Sequence, residues 1–118
     1  MLDASQKIFY LDLPQLNQVQ IGDAGSDVTV NFGGVSLRCH KRFLEALSPY
    51  FKRKFNTLLI DNNTNVVNLE EDDEGGIKSL IEMAYSNQLR VNFSNVQDIA
   101  VAADYLLMEK LKFFVKTF

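Results

Sequence analysis

The sequence has few of the residues that hold metals or form cross-links. Among its 118 residues there is one cysteine, Cys39, one histidine, His40, and no tryptophan. A single cysteine cannot form an internal disulfide, which fits a reducing compartment. A metal site needs three or four ligands at suitable spacing, and the nearby carboxylates do not complete one around this pair. The sequence therefore predicts no metal site.

Catalytic and cofactor-binding motifs are absent as well. Gly33-Gly34 is typical of a turn, and Gly75-Gly76 lacks the lysine and the serine or threonine of a phosphate-binding loop. Cys39 and His40 stand where a predicted strand gives way to a predicted helix. We therefore expect their side chains to diverge and their roles to be structural. The sequence predicts a protein that is not an enzyme and binds no cofactor.

Charge and hydropathy argue against nucleic acid and membranes as partners. Twelve Lys and Arg residues stand against fifteen Asp and Glu, a net charge of −3, and the basic residues form no stripe. No apolar run approaches the length of a membrane span, and the N-terminus lacks the charged and apolar segments of a signal peptide. The length suits one domain with a single core. We expect a cytoplasmic or nuclear globular domain.

Hydrophobic periodicity divides the chain into an N-terminal arm, residues 1–22, and a domain over residues 23–118. The arm carries spaced apolar residues: Phe9, Leu11, Leu13, Leu16 and Val19. The first three alternate with other residues as in a short strand that would stop at Pro14. That proline could equally open a short helix with the last two on one face. A glycine-containing loop, residues 22–26, is typical of a join between two parts.

The domain opens with a strong hairpin pattern. Residues 27–32 and 35–39 alternate in hydrophobicity around Gly33-Gly34, where positive φ suits a tight turn. The spacing then becomes helical over residues 43–47, and Pro49 is well placed to open another short helix. Residues 66–69 predict a further strand.

Helical patterns predominate in the C-terminal half. The spacing of apolar residues predicts a helix over 77–85, another after Ser94, and a last one over 111–115. Ser94 and Gln97 have the form of a capping box. Strands grouped before helices predict an α+β fold: a small sheet, built from the β-hairpin and further short strands, packed with a cluster of about five to six helices.

One apolar segment has no obvious place in a core. Leu58, Leu59 and Ile60 follow the predicted Pro49 helix and precede turn-forming residues that begin at Asp61. Three large apolar residues in a row on a connecting segment cannot all point inward, so a partner should cover part of the run. The alternative is that the run fills the core. Together with the apolar arm, the segment is typical of an interaction module.

Several motifs in order resemble the BTB/POZ domain family, and the resemblance spans residues 27–118. The segments that carry it are DVTV (27–30), CHKRFL (39–44), LSPYF (47–51), VNL (67–69), LIEMAYS (80–86) and AADYLLM (102–108). In the family, a strand beginning Asp-Val is followed by a hairpin, a His-Lys/Arg pair that opens a helix, and a Ser-x-Tyr/Phe-Phe segment. The sequence does not resemble the potassium-channel tetramerisation or Skp1 branches, which lack the pattern around His40 and Ser48.

The resemblance implies a binding scaffold that pairs with itself, with an N-terminal arm that commonly crosses to the partner subunit. Kelch-type and MATH-type relatives join a cullin scaffold to a substrate and so build a ubiquitin ligase. Zinc-finger relatives form dimers whose groove recruits transcriptional co-repressors. We expect a cullin adaptor, with a co-repressor-recruiting dimer or a purely architectural oligomerisation module as the alternatives.

The resemblance also implies site residues. In cullin-binding relatives, the loop after the helix over 51–55 carries an apolar residue, any residue, then Glu. Here that position is Leu59-Ile60-Asp61, with Asp one methylene shorter than Glu. The expected cullin-binding residues are Leu58, Leu59, Ile60 and Asp61. The expected dimer interface comprises Phe9, Leu11, Leu13, Leu16, Val19, Asp27 and Lys41, with the last two as a partly buried charged pair.

Overall fold

Strands and helices succeed one another in the irregular order expected of an α+β fold. The computed structural model describes residues 6–11, 20–60, 65–69 and 75–118, with the backbone alone for residues 57–60. In chain order the elements of this part of the chain are β1 (Lys7–Tyr10), β2 (Val28–Phe32), β3 (Val35–Cys39), α1 (Lys41–Leu47), α2 (Pro49–Ile60), β4 (Val66–Asn68), α3 (Gly76–Ser86), β5 (Gln88–Val91), α4 (Val96–Tyr105) and α5 (Glu109–Lys116). The predicted fold class, small sheets packed with a cluster of helices, is confirmed.

The predicted hairpin contributes two of the three strands of one sheet. β2 pairs antiparallel with β3, and Gly33 in the turn has a φ of 54°, which glycine adopts without steric cost. β4 pairs with β2 in parallel, so the strand order is β3-β2-β4. Because alternate residues of a strand share a face, Val28, Val30 and Phe32 are all buried in the core.

Ser48 fixes the corner between α1 and α2. Its buried hydroxyl accepts hydrogen bonds from the backbone N–H groups of Tyr50 at 3.1 Å and Phe51 at 3.4 Å, which opens α2. The same hydroxyl donates to the carbonyl of Leu106 at 2.6 Å. The corner is thereby tied to the turn between α4 and α5. Fully buried side chains from all five described helices meet in one core: Leu44, Phe51, Ile77, Leu80, Ile81, Ile99 and Leu111.

A second sheet joins the N-terminal strand to the strand between α3 and α4. β1 pairs antiparallel with β5, which places Phe9 opposite Leu89. The backbone N–H of Leu11 donates to the carbonyl of Asn87 at 2.8 Å, just beyond the last strand pair. Phe9 packs edge-on against Phe114 of α5, with ring centroids 5.2 Å apart. A strand is therefore present at the start of the arm, but it spans Lys7–Tyr10 and ends before Leu11, earlier than the predicted stop at Pro14.

The end of one helix and the presence of one strand differ from the prediction. α2 continues to Ile60, so residues 58–60 lie in its last turn and not on a connecting segment. Apolar residues that continue the helical spacing of Phe51 and Phe55 favour such an extension until turn chemistry begins at residue 61. β5 is not predicted. Its buried Leu89 and Val91 alternate with exposed neighbours, but four residues directly after a helix are a weak periodic signal.

The predicted capping box is wrong, because α4 begins at Val96 and a different side chain satisfies the N–H groups before it. Asn92 Oδ1 accepts the backbone N–H groups of Ser94 at 2.9 Å and Asn95 at 3.1 Å, and the Ser94 hydroxyl at 2.6 Å. An asparagine side-chain oxygen readily accepts the backbone N–H two residues ahead. Here it also accepts the Ser94 hydroxyl, so that hydroxyl does not cap α4.

No helix in the described ranges is long and apolar enough to cross a bilayer.

Candidate interaction surfaces

The strand face expected to meet a second subunit lies against this chain's own C-terminal helix. Phe9 and Leu11 are half-buried and pack on the core. The Nζ atom of Lys7 lies 5.9 Å from the centroid of the Phe118 ring. Three further residues of the expected interface lie outside the described residues: Leu13, Leu16 and Val19. Pairing of the arm with a second chain stays a prediction.

The predicted charged pair of Asp27 and Lys41 is not formed. Asp27 is exposed, and its Oδ1 accepts a hydrogen bond from the backbone N–H of Lys41 at 2.8 Å. The Lys41 ammonium points elsewhere, with Nζ 3.4 Å from Asn65 Oδ1 and 5.9 Å from the centroid of the Phe55 ring. The first N–H groups of a helix lack intrahelical partners and carry the positive end of its dipole, so they attract the carboxylate. Asp27 therefore caps α1 from its position just before β2, at the start of the hairpin.

The predicted cullin-binding segment coincides with the end of α2. Residues 58–60 have a helical backbone, and Asp61 lies outside the described residues. α2 is anchored in the core by Phe51 and Phe55, whose rings stack with centroids 5.9 Å apart. A segment that extends from an anchored helix loses less conformational entropy on binding than one on a free loop.

Cys39 and His40 meet at one tyrosine hydroxyl, contrary to the expectation that they diverge. The Tyr85 hydroxyl accepts the backbone N–H of His40, lies 2.9 Å from His40 Nδ1, and is hydrogen-bonded with the Cys39 thiol. Both residues point back toward α3 because the strand end and the helix start face the same core. Burial raises the pKa of the Cys39 thiol to about 11 and also raises the pKa of the Tyr85 hydroxyl. A thiol that keeps its proton at neutral pH is a poor nucleophile.

Metal-binding groups are likewise not assembled in the part of the chain that is described. No three or more His, Cys, Asp or Glu side chains lie together there in a way that could hold a metal ion. The Cys39–His40 pair lies next to Tyr85 and Phe43, and the His40 and Phe43 ring centroids are 5.5 Å apart. The surroundings of the pair are aromatic and buried, as expected of a structural cluster.

Three aromatic side chains are largely exposed: Tyr10 at 68%, Phe93 at 73% and Phe113 at 70%. Tyr10 ends β1, Phe93 follows β5, and Phe113 lies on α5, the helix whose Phe114 contacts β1. Phe93 also contacts Phe118, with ring centroids 5.2 Å apart. No sequence motif singles out Phe93 or Phe113. A phenylalanine between asparagine and serine turn residues is the signal that points to Phe93.

Comparison with known proteins agrees with these features. The model of the family described as "BTB/POZ domain" matches residues 16–118. Over 97 residues, 82% of the chain, the sequence is 36% identical to Kelch repeat and BTB domain-containing protein 12 from Danio rerio. Over 96 residues, 81% of the chain, it is 32% identical to Zinc finger and BTB domain-containing protein 44 from Mus musculus.

The matched stretches are 16% and 21% of those two relatives, so the chain spans less than a quarter of their length. Among solved structures, the BTB (Tramtrack and Bric a brac) domain of human gigaxonin superposes with a TM-score of 0.66. The superposition covers 78% of this chain and 75% of that one at 28% sequence identity.

Proposed function

Because the chain belongs to the BTB/POZ domain family of protein-interaction modules, we propose that it acts as a homodimeric adaptor that recruits a cullin scaffold into a ubiquitin ligase. Residues 58–60 and Asp61 stand where the family's cullin-binding members carry their contact motif. The observation that carries the proposal is that residues 58–60 form the last turn of a helix anchored in the core by Phe51 and Phe55. The similarity to a Kelch-repeat relative supports the same assignment.

The proposed dimer uses the arm. Backbone hydrogen bonds between two strands do not depend on which chain supplies each strand. The register that pairs Phe9 with Leu89 can therefore form between two subunits when the arm crosses over. Phe9 and Leu11 then cover the core of the partner subunit. The remaining residues of the proposed interface are Leu13, Leu16, Val19, Asp27 and Lys41.

A binding titration with a cullin scaffold tests the adaptor function. Replacing an apolar anchor in a partner's pocket by alanine typically costs more than about 1 kcal/mol, and central anchors reach about 2. Leu59→Ala should therefore weaken cullin binding by roughly tenfold or more. Asp61→Glu restores the longer carboxylate of the family's motif and should hold or improve affinity. Calorimetric titration of the purified proteins measures both effects.

The matched control is Val101→Ala, which truncates an apolar side chain that is 46% exposed on α4. It should leave cullin affinity unchanged. Thermal melting separates binding from packing, since a core leucine cut to alanine costs about 2–5 kcal/mol of stability. If wild type does not bind the cullin, or if Leu59→Ala unfolds the domain, the proposal for this segment is wrong.

The similarity to a zinc-finger relative favours a second candidate function, recruitment of a transcriptional co-repressor by the dimer. In that case co-repressor peptides bind the dimer, and Leu59→Ala leaves their affinity unchanged. Titrating the same preparations with a cullin and with co-repressor peptides distinguishes the two functions.

A further inference from the structure

A surface cavity of about 350 Å³ lies between the end of the arm, residues 20–21, and the C-terminal end of α3. Its lining residues are Gln20, Ile21, Glu82, Tyr85 and Ser86. None of these five residues belongs to the proposed dimer interface or to the proposed cullin contacts. The three α3 residues recur at helical spacing, so they share one face of that helix.

The wall of the cavity that residues 20–21 form is held in place by backbone hydrogen bonds. The N–H of Gly22 donates to the carbonyl of Arg38 at 2.8 Å, and the N–H of Asp23 donates to the carbonyl of Gln20 at 3.2 Å. Arg38 Nε donates to Ser26 Oγ at 3.0 Å, and Arg38 does not line the cavity. The backbone on this side of the cavity is therefore fixed, and the Arg38 guanidinium is bound to Ser26 and does not line the cavity.

Three features favour a positive charge in this cavity. The exposed carboxylate of Glu82 is not neutralised, because the ion pairs within 4 Å among the described residues all involve Lys112. α3 has no basic residue in its last turn, so the negative end of its dipole is uncompensated beside Ser86. Tyr85 contributes an aromatic ring, and its hydroxyl is engaged by His40 and so directed away from a ligand.

We infer that this cavity binds the guanidinium group of an arginine side chain from a partner protein. A planar guanidinium can pair with a carboxylate and stack on an aromatic ring at the same time, whereas a lysine ammonium is a compact, strongly hydrated charge. A divalent cation does not fit, because it needs several oxygen ligands and the cavity offers one carboxylate. The inference does not depend on the cullin proposal.

Titration of the ¹⁵N-labelled chain with N-acetyl-arginine methylamide at millimolar concentrations tests the site. Backbone amide signals of Gln20, Ile21, Tyr85 and Ser86 should shift and saturate. N-acetyl-citrulline methylamide has the same shape without the charge and should not shift them. Glu82→Gln should weaken binding about fivefold, the size of one exposed ion pair. Added salt should weaken it too, because exposed charges are screened.

Glu45→Gln is the matched control, since it removes the same charge from α1, away from the cavity. The affinity of Glu45→Gln for N-acetyl-arginine methylamide should equal that of wild type. Equal shifts with citrulline, no saturating shifts in wild type, or unchanged affinity in Glu82→Gln each overturn the inference. Tighter binding of N-acetyl-lysine methylamide overturns the choice of arginine. Glu82 is exposed, so Glu82→Gln should have the same melting temperature as wild type. Equal melting temperatures confirm that the variant is folded.

Discussion

The role of Asp27 is decided by one acceptor atom. Its Oδ1 accepts a hydrogen bond from the backbone N–H of Lys41, and the amide oxygen of an asparagine at the same position can accept that hydrogen bond. Asp27→Ala should lower the free energy of unfolding by about 1 kcal/mol, whereas Asp27→Asn should cost less than about half of that. A buried ion pair would instead lose about 3–5 kcal/mol in either variant. Urea unfolding of both variants measures the difference.

Glu109→Gln provides the control for Asp27. Glu109 is exposed and lies 3.6 Å from Lys112 at the surface, where ion pairs contribute little. The free energy of unfolding of Glu109→Gln should lie within about 0.5 kcal/mol of the wild-type value. A large loss in Asp27→Asn relative to this control would contradict the capping role and restore the charged pair.

The Cys39 thiol should resist modification in the folded chain. An unfolded thiol ionises near a pKa of about 8.5, and burial raises the pKa of Cys39 to about 11. Between these values unfolding releases a proton, so the free energy of unfolding should fall as pH rises through that window. Iodoacetamide at neutral pH should react slowly with the native chain and quickly in urea. Cys39→Ala should reduce the alkaline loss of stability, and rapid native alkylation would contradict this account.

At the scale of elements, the stability of the start of α4 distinguishes the observed Asn92 contacts from the predicted Ser94 capping box. Asn92 Oδ1 accepts two backbone N–H groups and the Ser94 hydroxyl, whereas Ser94 makes no cap to α4. Asn92→Ala should lower the free energy of unfolding by about 1–2 kcal/mol, in the range of lost helix caps. Ser94→Ala should cost less than about 0.5 kcal/mol. Thermal melting of the two variants is the measurement, and a greater loss in Ser94→Ala would restore the predicted capping box.

Elements with a sustained period are predictable from this sequence, and their ends are not. The hairpin and α3 each combine a clear period with turn or helix chemistry, so both are predicted correctly. β5 is missed because four residues do not establish a period. The predicted α2 ends too early because a run of three apolar residues before turn chemistry is also typical of a connecting segment, although its spacing continues that of the helix to Ile60.

Candidate sites were harder to predict than elements for a related reason. Sequence motifs indicated that Asp27 and Lys41 lie close together, but not that the backbone of Lys41 would take the hydrogen bond. The cavity at Glu82 joins residues far apart in the chain, and no periodic pattern reports such a juxtaposition. Local sequence patterns predict local structure, whereas the Asp27 and Glu82 contacts depend on tertiary packing.

At the scale of the molecule, we expect the chain to be a dimer at micromolar concentration. Deleting residues 1–22 removes β1 and should weaken self-association by more than about tenfold, because each 1.4 kcal/mol of lost contact is a factor of ten. Deleting residues 1–5 leaves β1 in place and serves as the control. Sedimentation measures the effect. A wild-type chain that stays monomeric contradicts the proposed dimer.

Strand exchange is tested separately by a cross-link across the β1–β5 sheet. Tyr10 and Gln88 are directly opposite and exposed, so Tyr10→Cys with Gln88→Cys can form a disulfide. An exchanged arm gives a covalent dimer on a non-reducing gel, and an arm retained in its own chain gives a covalent monomer. Cys39 is buried and should not interfere.

The parallel pairing of β2 with β4 constrains the order in which this chain can fold. Parallel neighbours require a crossover, here provided by α1 and α2, so the third strand can join only after that connection is in place. The β1–β5 pair joins residues as far apart in sequence as Tyr10 and Gln88, a longer loop than the one between β2 and β4, and so carries the larger entropic cost. We therefore expect β1 to find its partner last, and during that interval it can meet β5 of another chain. The proportion of exchanged subunits should then reflect the protein concentration at which the chain was refolded.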